Sequence, residues 1–407
     1  MSHIRDMTAE VFQGYAPLSG ESWRDPFGLY AGLRDHDPLH HVERGDYWVL
    51  SRFADVWEAA RDTGTFSSAE GLTFTYGERE RIGLGEAAPM VMLDPPEHTE
   101  FRKLVSRGFT PRRVTSIEPE VRAFVRERLD RVADGGTAEV DIVAELFKPL
   151  PSFVVAHYLG VPEADRARFD HWTEEIVASN AYGDALAAGQ AVAELFGYFS
   201  ELLERRRAEP GDDVISALST VFDDSDPLGP LRVLGFAFTM VAGGNDTTTG
   251  LLSSGCGLLA AHPDQRRTLV DDPGLIPDAI DELLRLTTPV QGLARTATRD
   301  VELHGKVLPA GRKVLLLYGS ANRDPREFGD DAAELDLTRR ARRALGFGHG
   351  AHHCLGASAA RLQARIALEE LLARFPHFEV DTDRGEFAPG HFVRRFQSLP
   401  FRPGPSA

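Results

Sequence analysis

The stretch 347–356, FGHGAHHCLG, concentrates residue types that bind metals or act in catalysis. It holds three histidines and Cys354, one of only two cysteines in the chain. Zinc is a poor match, because His352, His353 and Cys354 are consecutive, whereas zinc ligands are usually spaced as CxxC or HxxxH. A nucleophilic cysteine would need a base and an oxyanion hole, which the sequence does not identify. The ordinary alternative is a buried structural cysteine in a turn.

The residues around Cys354 favour another interpretation, in which a single sulfur binds something large. Gly348 and Gly350 allow the backbone to approach a flat, bulky group, and Phe347 could shield the sulfur from water. The amphipathic pattern LGASAARLQARIALEELLARF predicts a helix directly after Cys354. Its dipole and free N–H groups would favour a thiolate. A thiolate as the only protein ligand suits a soft metal, above all haem iron.

The segment 236–259, FAFTMVAGGNDTTTGLLSSGCGLL, predicts a long helix with an unusual middle. Gly243 and Gly244 each cost about 1 kcal/mol relative to alanine in a helix interior. Asp246 lies among apolar residues, and Thr247 can bond back to the preceding turn and open it locally. A kinked helix with satisfied polar groups explains this pattern, and so does an acid–alcohol pair that moves protons.

Two other segments carry charged or polar pairs at helical spacing. DELLR places Glu282 and Arg285 at i, i+3, and DPPEHTEFRKLV places His98 and Arg102 at i, i+4. Taken alone, each is typical of an exposed helix surface, where ion pairs contribute little.

The elements that must position these residues are mostly helical. Strand signals are few: one is at 46–50, followed by Ser51 as a predicted helix N-cap, and others lie in 301–319 with turns at 304–305 and 309–311. We predict a mainly α fold with small β-sheets, in a single domain over residues 1–407. The further segments with helical periodicity are 114–134, 190–208, 264–272 and 277–287.

The composition excludes several classes of protein. The net charge of −17 argues against a nucleic-acid partner, which needs a surplus of basic residues. Two cysteines suit a reducing, cytoplasmic environment. The polar N-terminus predicts no signal peptide or anchor, and polar residues interrupt the apolar segment 231–261, so we expect a buried helix there and no membrane span. GxGxxG and Walker loops, which bind nucleotides, are absent from the sequence.

The cysteine stretch resembles the haem-binding signature of the cytochrome P450 family. The matching residues are Phe347, Gly348, Gly350, His352, Cys354 and Gly356. The resemblance runs from about Trp23 to near the C-terminus, with the other motifs in the family's order. It implies the cytochrome P450 fold, in which haem b lies between the long central helix and the helix after the cysteine. It also implies that Cys354 binds the iron.

The same resemblance implies roles for the other motifs. AGGNDTT resembles the family's oxygen-binding helix, so Thr247 would hold an ordered water and Asp246 would relay protons from solvent. Glu282 and Arg285 would form a buried structural pair that braces the cysteine loop. The partners of the haem propionates would be His98, Arg102, Arg295 and His352.

The chain departs from the family's pattern in the meander, residues 321–340. Many members have an arginine followed by an aromatic residue where this chain has Glu334 and Leu335. That arginine usually completes the network of the Glu–Arg pair, and Arg323 is a candidate for its place.

The activity that the resemblance implies is a monooxygenase that inserts one oxygen atom from O₂ into a hydrophobic small molecule. No flavin or nicotinamide motif is present, so a ferredoxin and its reductase, fed by NAD(P)H, would supply the electrons. Basic residues around the cysteine side of the haem would dock the acidic ferredoxin. They are Lys103, Arg107, Arg112, Arg113, the run TRRARR at 338–343, Arg361 and Arg365. Two alternative functions are a haem-thiolate peroxygenase, dehydratase or isomerase, and a haem-based sensor.

The substrate pocket is predicted from the same resemblance and from apolar composition. The Gly-rich segment 70–92 is typical of a mobile lid. Such a pocket would bind an apolar ligand with a few polar groups, and the sequence does not identify that ligand. The candidate contact residues are Leu72, Phe74, Met90, Val91, Thr239, Ala242, Gly243, Val290, Leu293 and Phe392.

Overall fold

The computed structural model describes residues 17–82, 88–180, 188–222 and 228–404, and most of them are helical. The helices are α1 (Phe27–His36), α2 (Phe53–Arg61), α3 (Glu78–Ile82), α4 (Glu97–Val105), α5 (Pro111–Ser116), α6 (Glu118–Asp134), α7 (Pro149–Tyr158), α8 (Arg166–Asn180), α9 (Gly189–Ala208), α10 (Val214–Ser219), α11 (Gly229–Ala261), α12 (Pro263–Asp271), α13 (Ile276–Thr287), α14 (Tyr318–Ala321), α15 (Pro325–Phe328) and α16 (Ala357–Arg374). The predicted mainly α class is confirmed.

The strands form small sheets. They are β1 (Leu39–Val42), β2 (Tyr47–Leu50), β3 (Phe66–Ser67), β4 (Val140–Asp141), β5 (Leu293–Ala297), β6 (Val301–Leu303), β7 (Lys306–Leu308), β8 (Lys313–Leu316), β9 (Glu379–Val380), β10 (Glu386–Phe387), β11 (Phe396–Ser398) and β12 (Pro400–Arg402). The largest sheet has the order β1-β2-β8-β5-β3, and the smaller ones are β4-β12-β9, β10-β11 and β6-β7. The β6-β7 hairpin turns at His304 and Gly305, both with positive φ, as the sequence predicted.

Helix α11 crosses the centre of the fold. Its 33 residues span about 50 Å. Residues on all its sides are buried, because α7, α8, α9, α13 and α16 pack against it. Gly243 and Gly244 lie within the helix, and the helix runs through them without interruption.

Helices α13 and α16 pack against each other and against α11. Helix α13 ends where Thr288 adopts a left-handed conformation, with φ 36°, directly before Pro289. Helix α16 also packs along α6, where Arg122 and Arg365 bind carboxylates of the neighbouring helix. These contacts fix the helix that follows the cysteine loop.

The predicted N-cap of α2 is wrong. Arg52 precedes the first turn in an extended conformation, and the Ser51 hydroxyl donates to the carbonyl oxygen of Pro38. The free N–H of Phe53 instead donates to Oδ2 of Asp324 at 3.0 Å. A carboxylate 271 residues away in sequence therefore accepts the hydrogen bond that the sequence analysis assigned to the serine.

Among the described residues, no helix is both long and apolar enough to cross a membrane.

Candidate active site

The loop before Cys354 consists of two short 3₁₀ turns, Leu345–Phe347 and Gly350–His352. The Cys354 N–H donates to the carbonyl oxygen of Phe347 at 2.8 Å, which closes the loop. Gly350 has φ 72°, and a Cβ there would lie 2.5 Å from the carbonyl oxygen of Ala60 in α2. Glycine is required at this position because the loop packs directly on the backbone of α2.

The sulfur of Cys354 lies just before α16, whose N-cap is Gly356. Burial of the thiol within the protein is the largest influence on its pKa and raises it. The backbone N–H of Gly356 and the charges of Arg102 and Arg361 act in the opposite direction and favour the thiolate. The Cys354 side chain is nevertheless exposed to solvent.

The three histidines of the stretch contact three different neighbours. His349 stacks on Trp57 of α2 with ring centroids 3.4 Å apart, and His352 packs on His98 with centroids 4.1 Å apart. The carbonyl oxygen of His353 accepts a hydrogen bond of 2.6 Å from Arg102. Because the rings diverge, this arrangement does not favour a shared metal ion.

The four predicted propionate partners come together from three segments. His98 and Arg102 lie on α4, Arg295 on β5 and His352 in the cysteine loop. Burial is the main cause that lowers the pKa of His352 to about 3, and the charges of Arg295, His98 and Arg102 add to it. Burial and the charges of nearby arginines therefore disfavour the protonated form of His352 beside the cysteine loop.

His98 provides the best test of whether these residues fit a haem. Its ring is 1% exposed, yet neither ring nitrogen has a hydrogen-bond partner among the described residues. An unsatisfied buried donor is costly, so such a group usually serves a ligand. By contrast, His352 already binds the Ser68 hydroxyl at 3.2 Å and the backbone of Leu93. A carboxylate-bearing cofactor would satisfy His98, and the donor set fits one.

Asp246 and Thr247 lie on α11, about one turn after Gly243. The Thr247 hydroxyl donates to the carbonyl oxygen of Gly243 at 3.0 Å, the predicted bond to the preceding turn. Apart from its chain neighbours and the backbone of its own helix, no described atom lies within 4 Å of a Cβ built on Gly243, so the helix backbone is accessible there. A flat group could therefore approach the helix closely at this position.

Arg395 is a functional candidate that the sequence did not reveal. Its Nε lies 2.6 Å from Oδ1 of Asp246, and both side chains are 14% exposed. Burial raises the pKa of Asp246, whereas Arg395 and Lys148 lower it. Lys148 in turn pairs with Glu174 at 2.7 Å, and both of these side chains are at least half exposed. Asp246, on the central helix, thus lies in an ion pair with Arg395 and within the electrostatic influence of the half-exposed Lys148.

Glu282 and Arg285 form the buried pair that the family resemblance implied, and the exposed surface pair that their spacing alone suggested is wrong. Both are fully buried and joined by two hydrogen bonds of 2.7 Å. Arg339 completes the network, with its Nε 3.2 Å from Oε1 of Glu282. The candidate Arg323 is wrong, because it stacks on Phe27 and donates to the carbonyl oxygens of Leu286 and Ala333.

Predicted substrate-contact residues from three segments meet beside β5. The Ala294 N–H donates to the carbonyl oxygen of Leu72 at 2.7 Å, and Val290 pairs with Val393. The rings of Phe74 and Phe392 are 5.4 Å apart. Phe74 also stacks on the buried Tyr47, so part of its ring belongs to the core.

The remaining predicted contacts lie on or against α11. Met90 is 5% exposed and belongs to the main core, whereas Val91 is half-buried. Both lie in the turn Met90–Met92, which contacts α11. The Thr239 hydroxyl donates to the carbonyl oxygen of Gly235, and Ala242 is half-buried. Of the predicted lid, residues 83–87 lie outside the described residues.

Some residues of the predicted basic face form ion pairs with carboxylates, and others form none with described residues. Arg113, Arg339, Arg343, Arg361 and Arg365 bind carboxylates. The side chain of Arg107 lies outside the described part of the chain. The exposed residues that form no ion pair with described residues are Lys103, Arg112, Arg340 and Arg342.

Comparisons with known proteins identify the family to which the chain belongs. A family model described as Cytochrome P450 matches residues 274–394. Cytochrome P450 130 of Mycobacterium tuberculosis is 60% identical over 97% of this chain and 99% of its own length. The vitamin D(3) 25-hydroxylase of Pseudonocardia autotrophica is 37% identical over 95% and 96%. The crystal structure of CYP109E1 from Bacillus megaterium in complex with testosterone has a TM-score of 0.82 at 32% identity, covering 94% of this chain and 100% of that one. The chain belongs to the cytochrome P450 family, and it is a haem b monooxygenase with that family's fold.

Proposed function

We propose that the chain uses Cys354 as the iron ligand of a monooxygenase acting on a hydrophobic small molecule, with a ferredoxin as electron donor. The observation that carries the proposal is the position of the buried, unsatisfied His98 beside His352 of the cysteine loop. When bound, the haem supplies the oxygen activation, and the protein supplies its ligand, protons and substrate position. The described residues support one domain, which we extend to 1–407.

Four side chains would bind the haem propionates. Arg102 and Arg295 would supply charge, since guanidinium groups match carboxylates well. His98 would donate through a ring nitrogen, and His352, which already binds Ser68 and Leu93, would lie beside the same propionate group. Phe347 and the glycines Gly348 and Gly356 would shape the loop around the cofactor.

Asp246 and Thr247 would deliver protons. Thr247 would release its bond to Gly243 and hold a water, and Asp246 would relay protons from solvent to it. The ion pair with Arg395 would hold the carboxyl group in position between transfers.

The substrate would lie against the apolar residues of α11, β5 and the segment 70–74. One relative is named a vitamin D(3) 25-hydroxylase and CYP109E1 was crystallised with testosterone, and both are consistent with an extended apolar substrate that carries few polar groups. The unpaired cations on the cysteine side of the fold support docking of an acidic ferredoxin and its reductase. The low cysteine content supports a cytoplasmic location.

Turnover with a surrogate ferredoxin and reductase tests the proposal. The wild type should consume O₂ and form a hydroxylated product from a compound that shifts the haem spin state. Thr247→Ala should consume O₂ but release peroxide, whereas its neighbour Thr248→Val should remain coupled. Equal coupling in both variants would show that protons travel by another path. No turnover, with ligand binding intact, would favour a sensor.

A further inference from the structure

Lys313 is a buried lysine with no role in the site described above. It lies on β8, paired with Thr296 of β5, and is 1% exposed. Its ammonium donates to the carbonyl oxygens of Glu70 at 2.6 Å and Gly71 at 3.3 Å. Among the described residues it forms no ion pair. Burying an ammonium without a counter-ion costs several kcal/mol, so an apolar residue at this position would make the folded protein more stable.

The carbonyl groups that Lys313 binds belong to the segment leading to the predicted substrate contacts. The next carbonyl, that of Leu72, accepts the N–H of Ala294 on β5 at 2.7 Å. Three consecutive carbonyl groups of residues 70–72 are thus bound to two neighbouring strands. Their positions determine where the Leu72 and Phe74 side chains lie.

Further bonds close the same segment on itself. Oε2 of the buried Glu78 accepts from the N–H and the hydroxyl of Thr73 at 2.9 and 2.8 Å. Gly71 has φ 100°, and a Cβ there would collide with the Glu78 side chain. The Tyr76 hydroxyl accepts from the Lys313 N–H at 3.1 Å and donates to Asp46. Residues 70–78 therefore form a closed loop whose interior anchor is the Lys313 side chain.

The charges around this anchor agree with its role. Burial lowers the pKa of Lys313, and Glu78 and Glu70 partly restore it. Arg295, a predicted propionate partner, lies one register position away on β5, and its charge lowers the pKa further. Lys313 thus connects the loop on the substrate side with the strand that carries Arg295.

We propose that Lys313 is a positioning residue for substrate selection, which fixes the loop 70–78 and with it the apolar side chains of Leu72 and Phe74 against β5. The inference rests on the proposed function, because it takes Leu72 and Phe74 as substrate contacts. Without the anchor, the loop moves away from β5 and the pocket accepts bulkier ligands.

The test compares Lys313→Met with Lys306→Met in the holoenzyme. Lys306 is the control lysine, because its ammonium binds the carbonyl oxygen of Leu39 and the carboxylate of Asp37 near the surface but anchors no part of the loop. Spectral titration gives the Kd values of clotrimazole, a bulky azole, and 1-phenylimidazole, a small one. Hydrogen exchange reports the amides of residues 70–78.

Lys313→Met should lower the ratio of the clotrimazole Kd to the 1-phenylimidazole Kd about tenfold, because the bulky azole then binds more tightly relative to the small one. It should also speed hydrogen exchange in residues 70–78. Lys306→Met should change neither the ratio nor the exchange. An unchanged ratio or unchanged exchange would overturn the inference. If Lys313→Met does not fold, Thr73→Val, which removes one hydrogen bond to Glu78, should change the Kd ratio in the same direction by a smaller factor. A wild-type Kd ratio in Thr73→Val would equally overturn the inference. A wild type without a thiolate-type CO spectrum would instead reject the proposed function.

Discussion

Nε of Arg339 lies 3.2 Å from Oε1 of Glu282, whose carboxylate also binds Arg285. Arg339→Met should lower the free energy of unfolding by about 1–3 kcal/mol, because a hydrogen bond to a charged group is lost. Arg285→Met should cost more, about 3–5 kcal/mol, since it leaves Glu282 without its fully buried partner. Urea unfolding measures both.

Arg340→Met is the control for these variants. Arg340 is adjacent in sequence, exposed, and unpaired among the described residues, so its loss should change stability by less than about 0.5 kcal/mol. If Arg339→Met behaves like Arg340→Met, the third member of the network lies elsewhere.

His98→Phe should weaken haem binding and leave the apoprotein as stable as before, or more so. The substitution keeps an aromatic ring in a buried position but removes two nitrogens that lack partners. Removing an unsatisfied group costs nothing in the apoprotein, whereas losing a hydrogen bond to a propionate should speed haem transfer to apomyoglobin about tenfold. His349→Phe can keep its stacking on Trp57 and should retain haem normally. Equal haem loss from both variants would remove His98 from the propionate site.

Arg395→Met should shift the pH dependence of product formation. Arg395 holds the pKa of Asp246 down against the effect of burial, so its loss raises that pKa further. Asp246 then remains protonated to higher pH, and the limb of the pH–rate profile that depends on its ionisation should move to higher pH. Arg402→Met, which removes an exposed arginine paired with Glu139, should leave the profile in place. A downward shift in Arg395→Met would contradict the assignment.

Arg342→Glu should slow reduction by ferredoxin without changing the affinity for substrate. The exposed Arg342 carries an unpaired charge near the cysteine loop, and reversing it weakens attraction to an acidic partner at low salt. Arg44→Glu makes the same change in net charge in the turn between β1 and β2. Stopped-flow reduction rates at low and high salt distinguish the two. Equal rates for Arg342→Glu, Arg44→Glu and wild type at low salt would place docking on another surface.

Local patterns predicted much of this structure, and the failures have a common physical cause. The spacing of Glu282 and Arg285 predicted a pair, and the turn at His304 and Gly305 predicted a hairpin, because both depend on neighbours in sequence. Ser51 was wrong as an N-cap because Asp324, remote in sequence, satisfies Phe53. Arg339 and Arg395 were missed for the same reason, since each contacts its carboxylate only through long-range packing.

The central claim is that Cys354 binds haem iron as a thiolate, and the absorption spectrum of the reduced, CO-bound protein tests it most directly. We expect a strongly red-shifted Soret band in the wild type that Cys354→Ser abolishes, while Cys256→Ser, at the other cysteine, retains it. A wild type without haem, or a red-shifted band that survives in Cys354→Ser, would contradict the account.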